Sequence, residues 1–309
     1  MIIVLCALYP EAEPVIKKLS LKQDKADRFY KKYCNNDNSI CLYITGPGPI
    51  NAATAASYAL AENKTDIDDI QIVNFGSCAF LDGNVKPSGI CLCSKIVNID
   101  SGRTFYPDML LKSSLDEATI VTGSRIYEKK FENGKDESLV SNNEGRTLQE
   151  SFLEKTVPFL YDMEAAAIYE AASHFVGPHQ MHFLKYITDE GDGRITPEIV
   201  RTRAQESLDD VVEYLKSLEL LADNLAVSDL SDGLLSIQDR LIEDLHASFT
   251  MQHQIHQLLR YADIAGIDCE KILTKLYDDD KLPCRDKRQG LKVLEEVRSY
   301  IDGSTEATE

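Results

Sequence analysis

Short apolar runs rich in β-branched residues recur along the first two-thirds of the chain, at Met1–Leu8, Ile40–Thr45, Ile70–Phe75, Gly89–Val97, Thr119–Thr122 and His182–Thr188. Each has the length and composition of a buried strand. Helical patterns alternate with several of them: Pro10–Leu19, then Ile50–Glu62, alanine-rich and opened by Gly46-Pro-Gly48, then Asp162–Phe175 with Ala165, Ile168, Ala172 and Phe175 at helical spacing. Strands alternating with helices predict an α/β fold whose mostly parallel or mixed sheet is covered on both faces.

At 309 residues the chain can hold one large α/β domain plus something smaller, and 43% hydrophobic residues are enough for a full core. The formal net charge is −18 with no clustered Lys and Arg. Nucleic acid and anionic membrane surfaces are therefore excluded as partners, since both need concentrated positive charge. The N-terminal apolar run is too short to span a bilayer and has no cleavage-site pattern after it. Eight cysteines lack paired C-x-x-C spacing, and Cys91 and Cys93 point to one face of a strand-like run. They read as the thiols of a reduced, cytoplasmic protein.

Glu128–Glu150 is polar, with Gly134, Asn142, Asn143 and Gly145, and reads as a mobile excursion. Thr196-Pro197-Glu198 has the signature of a helix start, and the spacing predicts a helix to about Leu221. From Asp223 the strand signal disappears. Leu234, Ile237, Leu241, Leu245, Gln252, Ile255, Leu259 and Ala262 predict an apolar stripe on one long helix, started by Asp232-Gly233. Asp268 can cap a short helix carrying Ile272 and Leu276; Leu291, Leu294 and Val297 mark a last one; Gly303–Glu309 reads as a frayed tail. The chain thus reads as residues 1–222, an α/β catalytic domain, and residues 223–309, a helical appendix. The appendix could fold back on the domain, pair with a copy of itself, or dock a protein partner.

Two carboxylates stand just after strand-like runs: Glu11 after Met1–Leu8, and Asp189 after Met181–Thr188. Between them, Asp162 and Glu164 open an alanine-rich helix. Ligands in open α/β sheets bind beyond the carboxyl ends of strands, so these acids are expected to converge on one pocket. Cleavage of a glycosidic bond needs such a set, one acid for the leaving group and another group to handle water. Plainer readings exist for each. Glu11, Asp162 and Glu164 could simply offset helix dipoles. Asp189-Glu-Gly-Asp-Gly193 resembles a calcium loop, but Gly193, Arg194 and Val200 occupy positions that need an acid or amide, a glycine and a glutamate, so that reading fails. His179/His182 and His253/His256 have helix-compatible spacing without a third ligand nearby. No metal or cofactor is expected, and no phosphate-loop or dinucleotide motif is present.

Ala7-Leu-Tyr-Pro-Glu-Ala-Glu13, Thr45-Gly-Pro-Gly48, Asn74-Phe-Gly-Ser77, Asp162-Met-Glu-Ala165 and Ile187-Thr-Asp189, in that order, resemble the nucleoside phosphorylase and nucleosidase superfamily. The resemblance covers roughly residues 1 to 220. It is closest to the hydrolytic branch, the 5′-methylthioadenosine/S-adenosylhomocysteine nucleosidases. It implies a three-layer α/β/α sandwich whose mixed sheet curls partly into a barrel, and a homodimer. It also implies a purine nucleoside, an adenosine derivative altered at C5′, as the ligand, cleaved by water. In that reading Glu11 orients or deprotonates the water with help from Ser77, and Asp189, supported by Thr188, protonates N7 of the departing base. Glu164 accepts hydrogen bonds from ribose hydroxyls and Met163 packs against the sugar. Asp162 stands where hydrolytic relatives often have glutamate, and Lys185 where they have arginine. Tyr127 falls near an aromatic that stacks on the base, with a core tyrosine as the alternative, and Phe105 near one that reaches the neighbouring subunit's pocket. Ala79 and Phe80 replace glycines, which implies a narrower pocket. Phosphorolytic relatives carry glycine and arginine around Glu11, which this chain lacks between Leu5 and Ile16. A phosphorylase, with Arg103 or Arg125 as anion ligands, is the second reading; a non-catalytic nucleoside sensor or scaffold is the third.

Overall fold

The computed structural model describes residues 1–63, 69–82, 86–87, 89–127, 131–132, 135–136, 157–191, 195–225 and 230–301. It divides into two units, Met1–Asp223 and Asn224–Glu309.

The first unit is built outward from β1 (Ile2–Cys6), which is buried along its whole length. After it come α1 (Tyr9–Lys18), β2 (Lys22–Asp24), β3 (Lys31–Cys34), β4 (Ile40–Ile44), α2 (Pro49–Glu62) and β5 (Gln71–Asp82). Next are β6 (Ile90–Asn98), β7 (Thr104–Phe105), β8 (Asp116–Thr122) and a small antiparallel pair, β9 (Phe131–Glu132) with β10 (Lys135–Asp136). The unit ends with β11 (Phe159–Asp162), α3 (Ala165–Ala172), β12 (Met181–Asp189), α4 (Pro197–Glu206) and α5 (Leu208–Leu225). The sheet runs in the order β11-β8-β6-β12-β5-β1-β4-β3-β2, with β7 added to β6. β1 pairs in parallel with both β4 and β5, whereas β6 runs antiparallel to β12, so the sheet is mixed. β11 also pairs antiparallel with the far end of β5, which closes β11, β8, β6, β12 and β5 into a five-stranded barrel.

One face of the sheet is covered by α2 and α3. Their alanines, Ala52, Ala56 and Ala59 on one and Ala165, Ala166 and Ala172 on the other, are fully buried against Ile72, Cys93 and Phe183. The small side chains let helix and sheet backbones approach closely. The opposite face packs α1, α4 and α5 through Ala12, Val15, Ala204, Val211 and Leu215 onto Val4, Phe75 and Leu184. This is the three-layer sandwich with a barrel-like sheet that the sequence resemblance implies.

Local signals account for the helix starts near the site. Pro10 lies in the first turn of α1, and Glu11 reaches back to the Leu8 N–H, one half of a capping box. Gly48, at φ 93°, precedes Pro49 at the start of α2. Thr196 caps α4 by accepting the Ile199 N–H. The helix expected to run from there to Leu221 is interrupted at Ser207, whose N–H turns back to the Arg203 and Gln205 carbonyls.

Two sequence expectations are corrected here. Asp162 ends a strand instead of opening a helix, because Phe159-Leu-Tyr-Asp162 pairs with both β8 and β5; the helix begins at Ala165. Cys34 and Cys41 are not reduced: the β3–β4 register sets them opposite one another, Cα atoms 4.2 Å apart, and they form a disulfide. The other six cysteines are free and buried. No helix among the described residues is long and apolar enough to cross a membrane.

The second unit comprises α6 (Asp232–Asp244), α7 (Phe249–Ala265), α8 (Cys269–Asp278) and α9 (Lys287–Ile301) around its own core of Ile237, Leu241, Leu259, Leu276, Leu294 and Val297. The single long helix expected over 234–262 is two. The chain turns at Leu245–Ser248, with His246 at φ 48°, and Gly290 of α9 comes so close to the Leu245 carbonyl that a Cβ there would lie 1.9 Å from it. Ser231, one residue before the expected Asp232-Gly233, caps α6, and Asp268 caps α8 as its sequence predicts. Apart from the β9–β10 pair, the 128–150 excursion lies outside the described residues, as does the 303–309 tail.

Candidate active site

The acids singled out in the sequence lie at or just beyond the carboxyl ends of β1, β11 and β12, with Glu11 and Asp189 beside the middle of β5. Glu11, in the first turn of α1, is 2% exposed. Its Oε2 accepts the Leu8 N–H at 2.9 Å; its Oε1 accepts the Ser77 N–H at 2.9 Å and the Ser77 hydroxyl at 2.6 Å. It is not a solvated helix-end acid. Gly76 leaves room for this: a Cβ there would stand 3.3 Å from Glu11 Oε1, close enough to shift the carboxylate. Glu13, two residues on, instead pairs with Lys17 and Arg201.

Glu164, at the N-cap of α3, is 7% exposed. Its Oε1 accepts the Gly48 N–H at 2.8 Å and its Oε2 lies 3.3 Å from the Met163 N–H. Burial and the neighbouring Asp162 push its pKa up to about 7, against the opposing pull of Lys185 and the Gly48 N–H. Met163 is half-buried, with its terminal methyl 3.9 Å from where a Gly48 Cβ would be.

Asp162 faces the protein. Its Oδ1 accepts the Thr122 hydroxyl at 2.6 Å; its Oδ2 accepts the Ala165 N–H at 2.9 Å and pairs with Lys185 Nζ at 2.7 Å. Lys185 is no surface lysine, being 1% exposed. Burial alone would favour the neutral amine, but Asp162, Glu164 and Glu11 outweigh it and hold the ammonium above its ordinary range.

Asp189 follows a register shift at the end of β12, opposite Ala79 and two residues along β5 from Ser77. It is 9% exposed. Its Oδ1 accepts the Gly191 N–H at 2.7 Å, and Thr188 Oγ1 lies 2.9 Å from its Oδ2 and 3.2 Å from the Cys78 carbonyl.

Tyr127 is buried, its ring 5.3 Å from Tyr161 in an apolar cluster with Ala79, Val97 and Val121, against which Met163 packs. Phe105 stacks on Tyr169 of α3 at 4.9 Å, and the Arg103 guanidinium lies 5.2 Å from its ring. Arg103 also pairs with Glu170 at 3.5 Å. Thus Glu11, Ser77, Asp162, Glu164 and Lys185 form one linked group, Thr188 and Asp189 lie beside it on β12, and Phe105 is engaged by Tyr169 and Arg103. Sequence reasoning missed the Gly48 N–H and the Thr122 hydroxyl as partners of the acids. Gly46-Pro-Gly48 and Thr122-Gly123 marked a helix start and a strand end; nothing in them named the carboxylate each would serve.

No protein-family model matches the chain, and no curated protein sequence matches it. Solved structures do. The chain is similar to the 5′-methylthioadenosine/S-adenosylhomocysteine nucleosidase of Neisseria meningitidis in complex with methylthio-immucillin-A, at TM-score 0.54 and 20% identity over 70% of this chain and 98% of that one. It is similar to the Colwellia psychrerythraea enzyme in complex with adenine, at TM-score 0.55 and 19% identity over 70% and 95%. The S. pneumoniae enzyme with a transition-state inhibitor gives TM-score 0.53 and 16% identity over 70% and 99%. At these identities the likeness establishes the fold. The first unit has the fold of these methylthioadenosine/S-adenosylhomocysteine nucleosidase structures.

Proposed function

We propose that the chain is a purine nucleoside N-ribohydrolase that cleaves the glycosidic bond of an adenosine derivative altered at C5′, of the methylthioadenosine, S-adenosylhomocysteine or 5′-deoxyadenosine type, with water as nucleophile. The observation that carries the reading is the Glu11 carboxylate, buried, held by Ser77 and Leu8, and in the same group as Glu164. Water attacks C1′ and gives its proton to Glu11 as the bond from C1′ to the purine nitrogen breaks. The electron pair leaves with the base, and Asp189 donates a proton to N7 so that the base departs neutral. Thr188 suits a supporting role: its hydroxyl lies within hydrogen-bond reach of Asp189 Oδ2 and of the Cys78 carbonyl, and so orients the Asp189 carboxyl. Glu164 accepts from the ribose hydroxyls, and its negative charge favours the oxocarbenium character of the transition state. Met163 lies beside the sugar and Tyr127 in the wall near the base. Lys185 and Asp162 support the acids.

Of the two anion ligands a phosphorylase would use, Arg103 or Arg125, Arg103 pairs with Glu170 and lies over the Phe105 ring, which supports hydrolysis as far as Arg103 is concerned. The test is to incubate the purified protein with methylthioadenosine, S-adenosylhomocysteine, 5′-deoxyadenosine, adenosine, inosine and uridine, with and without phosphate, and to follow free base by chromatography. Release without phosphate is expected, falling about 10²–10⁴-fold in Glu11→Gln and in Asp189→Asn. Release only with phosphate would make the protein a phosphorylase. Binding of a nucleoside without release would make it a sensor.

A further inference from the structure

Among the described residues the buried acids of this group, Glu11, Asp162 and Glu164, are accompanied by one buried cation, Lys185. The sheet register explains its position. Lys185 pairs directly with Gly76, the residue whose missing side chain leaves room for the Glu11 carboxylate, and the neighbouring positions Leu184 and Tyr186 face the opposite helical layer. Asp162 then fixes the ammonium at 2.7 Å, and is itself fixed by the Thr122 hydroxyl and the Ala165 N–H. The Thr122 hydroxyl in turn accepts the Ala166 N–H at 3.0 Å, so the first turn of α3, which carries Glu164 at its cap, is tied to the same ion pair. Held by these partners, the Asp162 side chain has no exposed surface.

We infer that Asp162 and Lys185 are positioning residues: Asp162 anchors the Lys185 ammonium and the start of α3 together, and the ammonium supplies the fixed positive charge that keeps Glu164 an acceptor of ribose hydroxyls. Asp162 acts on the site through Lys185 and α3, and does not itself bind the sugar. The inference deepens the nucleosidase reading and rests on it for the role of Glu164. The groups acting on Glu164 are Asp162 on β11, Lys185 on β12, Glu11 on α1 and the Gly48 N–H ahead of α2. Lys185 also acts on the thiols of Cys6, Cys78 and Cys93. Removing the ammonium leaves Glu164 with two like charges and the Gly48 and Met163 N–H donors, and the loss of the opposing charge favours its protonated form. A protonated carboxyl has one fewer acceptor for a vicinal diol.

The test is a carbon-13 NMR titration of the Glu164 carboxyl in the full chain, compared with kinetics. In Lys185→Met its midpoint is expected to rise by about one to three pH units, the usual effect of losing a neighbouring opposite charge. Asp162→Asn is expected to lower kcat/KM through KM and to move the acid limb of its pH profile, and Lys185→Arg to restore both the midpoint and the limb. In the wild-type protein the Lys185 Nζ resonance is expected to shift as Glu164 titrates. That measurement decides the matter even if a variant fails to fold. An Nζ resonance blind to the Glu164 titration, or a midpoint unmoved in a folded Lys185→Met, overturns the inference. Because both are read by NMR without turnover, absence of base release by the wild type would instead count against the nucleosidase reading.

Discussion

The Glu11 carboxylate accepts hydrogen bonds from the Leu8 N–H, the Ser77 N–H and the Ser77 hydroxyl, and rests where a side chain at Gly76 would be. With three donors fixing it, Glu11 cannot yield to a new neighbour without losing one of them. Gly76→Ala is therefore expected to fold, since the added methyl group meets only the Glu11 side chain, yet to lower kcat on the order of tenfold by displacing the carboxylate a few tenths of an ångström. Steady-state kinetics with the best substrate check this, and an unchanged kcat would mean that Glu11 does not have to be held against Ser77. The acids themselves were legible because each follows a strand-like run. What fixes them was not: the Gly48 N–H and the Thr122 hydroxyl lie 116 and 40 residues away in sequence from the carboxylates they serve. No periodicity carries that information; only the parallel pairing of β8 with β11 sets Thr122 opposite Asp162.

At the scale of elements, His182 joins β12 to β5 and α5: its Nε2 lies 3.0 Å from Gln71 Oε1 and its Nδ1 2.9 Å from the Tyr214 hydroxyl. With Nε2–H donating and Nδ1 accepting, both nitrogens are satisfied by the neutral ring. Burial first, and His179 second, lower its pKa from 6.5 to about 3. The unfolded chain thus takes up a proton that the folded chain refuses, and His182 costs stability as pH falls below 6.5. Glu164 works the other way. Its pKa is raised from 4.5 to about 7, so its contribution to stability is lost as pH rises through that range. Over the shared window the two slopes oppose each other. Glu164→Gln is expected to uncover the histidine, losing up to about 1.4 kcal/mol per pH unit as pH is lowered. Glu164→Gln/His182→Gln is expected to lose that slope. Urea denaturation from pH 7 to 5 measures it, and equal slopes in the single and double variants would show that His182 does not stay neutral in the fold.

Element identity followed hydrophobic period wherever packing agreed with it, as in β1, α1, α2 and β12. It failed where tertiary contact overrode local preference. Asp162-Met-Glu-Ala165 reads as helix from its first acid, but β8 and β5 claim Phe159–Asp162 as a strand. The apolar stripe over 234–262 is continuous in sequence, and the chain still turns after Leu245. There the Cys284 N–H donates to the Asp244 carbonyl, His246 Nε2 meets the Cys284 carbonyl, and Tyr277 binds Asp244. Those partners lie some thirty to forty residues downstream, beyond the reach of a helical period.

On the scale of the whole molecule, the buried clusters of the described residues divide with the units: three draw on residues 1–223, and one on residues 230–301. Folding free energy comes mainly from such burial, so each unit is expected to unfold in its own cooperative transition. Gly290 offers a way to address one of them alone. A Cβ there would stand 1.9 Å from the Leu245 carbonyl oxygen and 2.8 Å from its carbon, both backbone atoms that cannot swing aside. Gly290→Ala must push α9 away from the end of α6, at a cost of about 1–3 kcal/mol or more to the helical unit. The acids of the site, the barrel and the three clusters that position them belong to residues 1–223. Calorimetry is therefore expected to show one transition lowered and the other unmoved, with base release at the wild-type rate in the range where only the helical unit has melted. A chain ending at Leu225, the last residue of α5, is expected to behave likewise. If both transitions fall together, or if base release disappears with the helical unit, the two cores are not energetically separate, and residues 224–309 contribute to holding Glu11, Glu164 and Asp189 in place.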